Sequence, residues 1–197
     1  MMKSLVPIVI LCALAALWAG CASTPPSKFY TLSPTADPGG ATASYSVAVG
    51  PVSVPAAVDR PQMVVCVGPN EVAIDEFNRW ASPLPNDIAR IVAQNLVSFL
   101  GTPLVTLFPQ AAAAGASYRV WIDVMRFEST PGENATLDAI WTVRCTKDGR
   151  THSGRTTLIK PVVDKSYSTL VAAHSHALGR LSNEVAGAIR ALESGGP

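Results

Sequence analysis

The sequence predicts an α/β fold of the α+β sandwich kind: a mixed, mainly antiparallel sheet of about six strands with two main helices, preceded by a signal peptide and a tether. Two periodicities carry this expectation. Short runs alternate apolar and polar residues between Gly, Pro and Asn clusters, the pattern of half-buried strands. Two longer stretches repeat apolar residues at three- and four-residue steps, the pattern of helices lying on a sheet. The order is strands, helix, strands, helix, with no internal repeat, and the length suits one domain.

The chain starts with Met1, Met2 and Lys3, a short positive segment, and continues into a charge-free apolar run from Leu5 to Leu17. That run suits the hydrophobic region of a signal peptide and falls short of the roughly 20 apolar residues a spanning helix needs. It ends in "LWAGCASTPPSKFYTLSP", Leu17 to Pro34, where Ala19 and Gly20 supply the small residues for cleavage and Cys21 follows at once. This junction resembles the lipobox of bacterial lipoproteins, whose thiol is acylated and becomes the first mature residue, although Trp18 stands where that signal usually has an aliphatic residue. Residues 1–20 are therefore read as a lipoprotein signal peptide cut between Gly20 and Cys21, with covalent diacylglycerol and acyl lipid on Cys21. An ordinary secreted protein and a retained anchor helix are the competing readings. Ala22 rather than Asp after the cysteine favours the outer membrane, with the domain facing the periplasm.

Residues 21–44, rich in Ser, Thr, Pro, Gly and Ala, read as a flexible tether, interrupted by one extended element, "KFYTLSP", that docks on the domain at 45–197. "SYSVAVGPVSVP" alternates Tyr45, Val47 and Val49, and Gly50-Pro51 breaks the phase, so a strand with a bulge or an edge position is expected. "PQMVVCVGPNEVAID" predicts a hairpin turning at Gly68-Pro69-Asn70. In "NRWASPLPNDIARIVAQNLVSFLG", Ser82 is the expected N-cap, Pro83 the first helical residue and Gly101 the stop, with Leu84, Ile88, Ile91, Val92, Leu96 and Phe99 on one stripe. A short strand around Leu104–Phe108 and an alanine-rich loop follow. "YRVWIDVMRFE" then sets Tyr118, Val120, Ile122 and Val124 against Arg119, Trp121, Asp123 and Met125. "ATLDAIWTVRC" sets Leu137, Ala139, Trp141, Val143 and Cys145 against Thr136, Asp138, Thr142 and Arg144. Lys147–Gly149 turns into a third strand over roughly 150–160, which makes an antiparallel meander. From about Ser166 to Glu193, Val171, His174, Leu178, Leu181, Val185, Ala188 and Leu192 form the seam of a long helix, with His176, Arg180, Asn183, Gly187 and Arg190 opposite.

The chain carries 15 Lys and Arg against 14 Asp and Glu, and cleavage removes Lys3 and no acid, which leaves the mature charge balanced. Nucleic acid is not an expected partner, because phosphate binding rests on clustered Lys and Arg. His174 and His176 stand two apart on a helix and point to different faces, so they do not form a metal site, and His174 in the seam reads as a core histidine. No Gly-x-Ser-x-Gly, phosphate loop, Cys-x-x-Cys or paired carboxylates occur, so no enzyme, metal or non-covalent cofactor is expected. Trp141 reads as core. Trp80 at the helix entrance, with Phe29 and Tyr30 of the extended element, are the candidate partner or oligomer contacts. Cys12 leaves with the signal and Cys21 takes lipid. Cys66 and Cys145 remain in a compartment where disulfides persist, as a candidate bridge if their Cα atoms come within about 7 Å, with free buried thiols the alternative.

Taken together, the lipobox, "FYTLSP", "VAVGPVSVPAAVDRPQMVV", "NRWASPLPNDIARIVAQNL" and "YRVWIDVMRFE" resemble the PqiC/YmbA family, the auxiliary lipoproteins of MCE-type lipid transport systems. The resemblance implies a periplasm-facing outer-membrane lipoprotein that works with a PqiB-like MCE-domain protein, whose stacked rings form a lipid tunnel, and with that protein's inner-membrane partner. It also implies self-assembly into a homo-oligomeric ring and a role in membrane integrity. The competing function is an outer-membrane assembly or envelope-maintenance scaffold without lipid cargo. Neither Cys66 nor Cys145 belongs to the motifs.

Overall fold

The computed structural model describes residues 25–37 and 43–195. In chain order the elements are β1 (Lys28–Tyr30), β2 (Val47–Ser53), β3 (Gln62–Gly68), β4 (Glu71–Trp80), α1 (Leu84–Leu100), β5 (Val105–Leu107), a 3-10 turn (Ala111–Ala113), β6 (Tyr118–Thr130), β7 (Asn134–Cys145), β8 (Thr151–Pro161) and α2 (Tyr167–Glu193). The fold is α+β, with two helices and mainly antiparallel strands. Those strands divide into two sheets: a five-stranded sheet in the order β5-β2-β6-β7-β8 and a three-stranded one in the order β1-β4-β3.

In the large sheet β2 runs parallel to both β5 and β6, while β6, β7 and β8 form the antiparallel meander. The two helices pack on each other and on one face of this sheet, α1 over β2 and β5, α2 over β7 and β8. Val47, Val49, Val120, Ile122, Leu137, Ala139 and Val143 meet Ile88, Ile91, Leu96, Leu178, Leu181 and Val185 in one core. Burying each such side chain is worth roughly 1.5–3 kcal/mol. The expected break in β2 is a register shift between Val49 and Val52. A second bulge, between Val124 and Arg126 of β6, resets the alternation so that Val124 and Phe127 both face the core while Arg126 stays outside.

Four expectations are corrected. Ser82 does not cap α1: the helix begins at Leu84, Pro83 occupies the cap position rather than the first turn, and no side chain bonds the free N–H groups there. The C-terminal stop is at Gly101 as expected, in the left-handed region at φ 64° with its N–H on the Val97 carbonyl. Phe99 is only half-buried, and Leu100 closes the stripe in its place. Thr136 and Asp138, expected on an open strand face, are buried; Arg155 grips both oxygens of Asp138 at 2.7 and 2.6 Å and Thr157 adds a third bond, while Thr136 donates to Asn134 Oδ1 at 3.2 Å. Finally, paired structure begins at Lys28, upstream of the boundary at Tyr45, because the extended element is a strand of the small sheet.

Candidate anchoring strap and interaction surfaces

Gly20 and Cys21, the expected cleavage and lipidation positions, lie outside the described residues. The structure does show what the chain does immediately after them. β1 adds parallel to β4 in the register Lys28↔Asn78, Phe29↔Arg79 and Tyr30↔Trp80. Residues 31–36 then lie along the groove between α1 and α2 as a strap, with Leu32 buried in the core.

Polar side chains on the two helices hold the strap by its backbone. Leu32 N–H donates to Asp87 Oδ2 at 2.8 Å, Ser33 N–H to Ser175 Oγ at 3.1 Å, and Thr35 and Ala36 N–H to Asn95 Oδ1 at 3.0 and 3.2 Å. Arg90 closes the upper end, donating from Nη2 to the Leu32 carbonyl at 2.9 Å and from Nε to Asp87 Oδ1 at 2.9 Å. Asn95 in turn donates to Ser182 Oγ at 3.3 Å. The close approach of strap to helix needs a residue without a side chain at Gly179, where a Cβ would stand 2.0 Å from Thr35 Oγ1.

Of the candidate contact residues, the structure separates Phe29 from Tyr30 and Trp80. Tyr30 is half-buried, donates to Asn78 Oδ1 at 2.9 Å and lies 6.1 Å from the ring of Tyr167. Trp80 is buried edge-on to Phe127 with ring centroids 6.1 Å apart, and only its rim lines a shallow cavity of about 370 Å³ with Asp59, Arg60, Pro61 and Ser82. Both serve the fold rather than an open surface. Phe29, on the other face of β1, is 64% exposed.

Asp75 joins this region to α2. Tyr167 donates to it at 2.7 Å, and Phe77 N, Asn78 N and Asn78 Nδ2 donate from β4. Burial pulls its carboxyl up, but these four donors outweigh that and hold it at about 2. The same bonds loop β4 outward, and the β3–β4 register jumps from Met63↔Asp75 to Gln62↔Arg79.

Cys66 and Cys145 are both free thiols, the first half-buried in β3 of the small sheet and the second buried at the end of β7 in the large one, so the candidate bridge is not formed. His174 is fully buried as expected, with Nε2 2.9 Å from Ser129 Oγ and its ring stacked on Phe127. Trp141 is buried and donates to Thr156 Oγ1 at 3.0 Å. Among the described residues no group of three or more His, Cys, Asp or Glu is placed to hold a metal ion, and no helix is long and apolar enough to cross a membrane.

The strap-holding residues were missed by the sequence reading, although the signal was present. Asn95 continues the stripe Leu84, Ile88, Ile91 at the next four-residue step, and Ser175 and Ser182 alternate with Val171, Leu178 and Val185 in the same way. Polar residues at seam positions mark a place where something other than a side chain must be bound.

Comparison with solved structures places the fold among known ones. A crystal structure of an uncharacterized protein superposes with a TM-score of 0.68 at 18% identity, over 84% of this chain and 99% of that one. A DUF330 protein from Xanthomonas campestris gives 0.66 at 22% identity, over 85% and 99%. No curated protein matches the chain in sequence. The family described as "ABC-type transport auxiliary lipoprotein component" matches residues 30–186, a span that starts in β1 and ends inside α2 and so takes in the strap, both sheets and both helices. With the strap and the two-sheet fold inside that span, the chain belongs to the ABC-type transport auxiliary lipoproteins of the PqiC/YmbA type.

Proposed function

We propose that the protein is the outer-membrane lipoprotein of an MCE-type, Pqi-like intermembrane lipid transport system, docking or stabilising the outer-membrane end of the lipid tunnel and so supporting membrane integrity. The observation that carries this reading is the strap. The segment next to the expected acyl anchor at Cys21 enters the fold as β1 and the inter-helix strap, so a lipid there holds the whole domain at a defined end. A body held in that way is suited to receiving a partner, and the family's role as a transport auxiliary lipoprotein agrees with it. In this reading the partners are a PqiB-like MCE-domain protein and its inner-membrane component, the lipid moves through the partner, and the lipoprotein assembles as a homo-oligomeric ring.

The test is cross-linking in intact cells, followed by purification of the acylated protein from the outer membrane. Recovery of the MCE-domain protein in the cross-linked complex, with native mass spectrometry giving a closed oligomer, is the expected result. Recovery of outer-membrane assembly proteins without any MCE-domain protein would replace transport by scaffolding.

A further inference from the structure

We infer that the outer face of the small sheet rests on the surface of the bilayer that anchors the protein. The inference depends on the lipid anchor proposed at Cys21. Cross-strand register puts Phe29 beside Arg79, Val64 beside Ile74 and Cys66 beside Val72, and strand alternation sets Phe77 on the same side as Arg79. The opposite face carries Tyr30, Met63, Asp75 and Trp80, all turned toward the body. Phe29, Val72, Ile74 and Phe77 are exposed to between 38 and 64%, an apolar face of the kind that marks an interaction surface. At its far end Val64, Cys66 and Val72 join Pro55, Val58 and Met125 around a recess of about 160 Å³.

The length of chain before β1 says what covers this face. Seven peptide links separate Cys21 from Lys28, a span of at most about 25 Å fully extended. A domain of this size is roughly 40 Å across. The sheet that starts at Lys28 therefore meets the bilayer at a far higher local concentration than the opposite end of the molecule. Its chemistry fits that neighbour: two phenylalanines for the acyl boundary, with Arg79 beside Phe29 on the same face for lipid phosphates.

The experiment uses the full-length acylated protein in vesicles of phosphatidylethanolamine and phosphatidylglycerol, with a photo-crosslinking phenylalanine analogue in place of Phe77, of Phe29 or of Leu104. Leu104 is exposed to a comparable degree but follows the C-terminal end of α1, whereas the strap enters at Asp87 in its first turn. The helix separates the two ends by about 25 Å. The expected result is phospholipid adducts at Phe29 and Phe77 in several-fold excess over Leu104. Equal yields at the two ends, or adducts at Phe77 to a second copy instead of lipid, overturn the inference. The mass of the N-terminal peptide from the same vesicles reads the anchor separately. An acylated protein without lipid adducts at Phe77 refutes the face alone, and an unacylated one refutes the anchor and the face with it.

Discussion

His174 lies fully buried with its ring 3.8 Å from that of Phe127 and nearly parallel to it, and its Nδ1 has no hydrogen-bond partner. A charged imidazole there would be desolvated against an aromatic face, so burial lowers its pKa from 6.5 to about 3. Because the unfolded chain binds the proton first, stability from this residue is complete above about pH 6.5 and is lost as pH falls toward 3. The slope in that window approaches about 1.4 kcal/mol per pH unit. Urea unfolding at several pH values should show it, and His174→Phe should flatten the stretch from pH 6 to 4 whatever its effect at neutral pH; an unchanged slope in the variant would assign the acid sensitivity elsewhere. Asp75, whose carboxyl is held at about 2 against an ordinary 3.8, loses its own stabilisation between those values and so acts below the pH 6 to 4 stretch. Gly154 is the other position where one atom decides the outcome. It stands directly opposite Trp141, and an added Cβ would come within 2.3 Å of Cζ2 of the indole. The ring cannot swing away without breaking its bond to Thr156. Gly154→Ala should therefore cost about 1–3 kcal/mol by overpacking, and a wild-type urea midpoint would show that the ring has room to move.

At the scale of the element, the two helices start differently and should respond differently to the loss of a serine. Ser166 caps α2, accepting from Thr169 N–H at 3.2 Å, and Ser166→Ala should cost about 1 kcal/mol. Ser82 makes no capping bond to α1, so Ser82→Ala should stay within about 0.5 kcal/mol. Equal losses in thermal unfolding of the two variants would restore Ser82 as the cap. The contrast also shows what the sequence makes legible. Both helical stripes, the hairpin at Gly68-Pro69-Asn70, the meander and the break in β2 follow from periodicity and turn chemistry acting over a few residues. Apart from the start and end of α1, the missed features are set by distant partners. β1 is three residues long and finds its neighbour some fifty residues later in β4. Asp138 is paired with an arginine from the next strand. Tyr30 and Trp80 carry the aromatic signature of contact residues, and only the register shows that they face inward while Phe29 faces out.

For the molecule as a whole, the question is where the domain begins, because that decides whether an anchor at Cys21 holds a free-swinging body or a fixed one. Two truncated chains separate the possibilities, one starting at Lys28 and one at Tyr45. The first keeps β1, the buried Leu32 and every bond from the helices to the strap. The second removes them together and uncovers the groove between α1 and α2. Loss of the Leu32 side chain alone removes roughly 1.5–3 kcal/mol of burial. Asp87, Ser175 and Asn95 lose the strap N–H groups they accept from, and each such hydrogen bond is worth about 0.5–1.5 kcal/mol. Those losses add up to much of the 5–15 kcal/mol typical of a small domain. The chain starting at Lys28 should unfold at the urea midpoint of the longer mature protein, and the chain starting at Tyr45 should be largely unfolded or aggregated at neutral pH. Matching midpoints for the two would make the strap dispensable and return residues 28–36 to the tether. A large difference would mean that force on the lipid anchor is transmitted directly into the packing of the two helices.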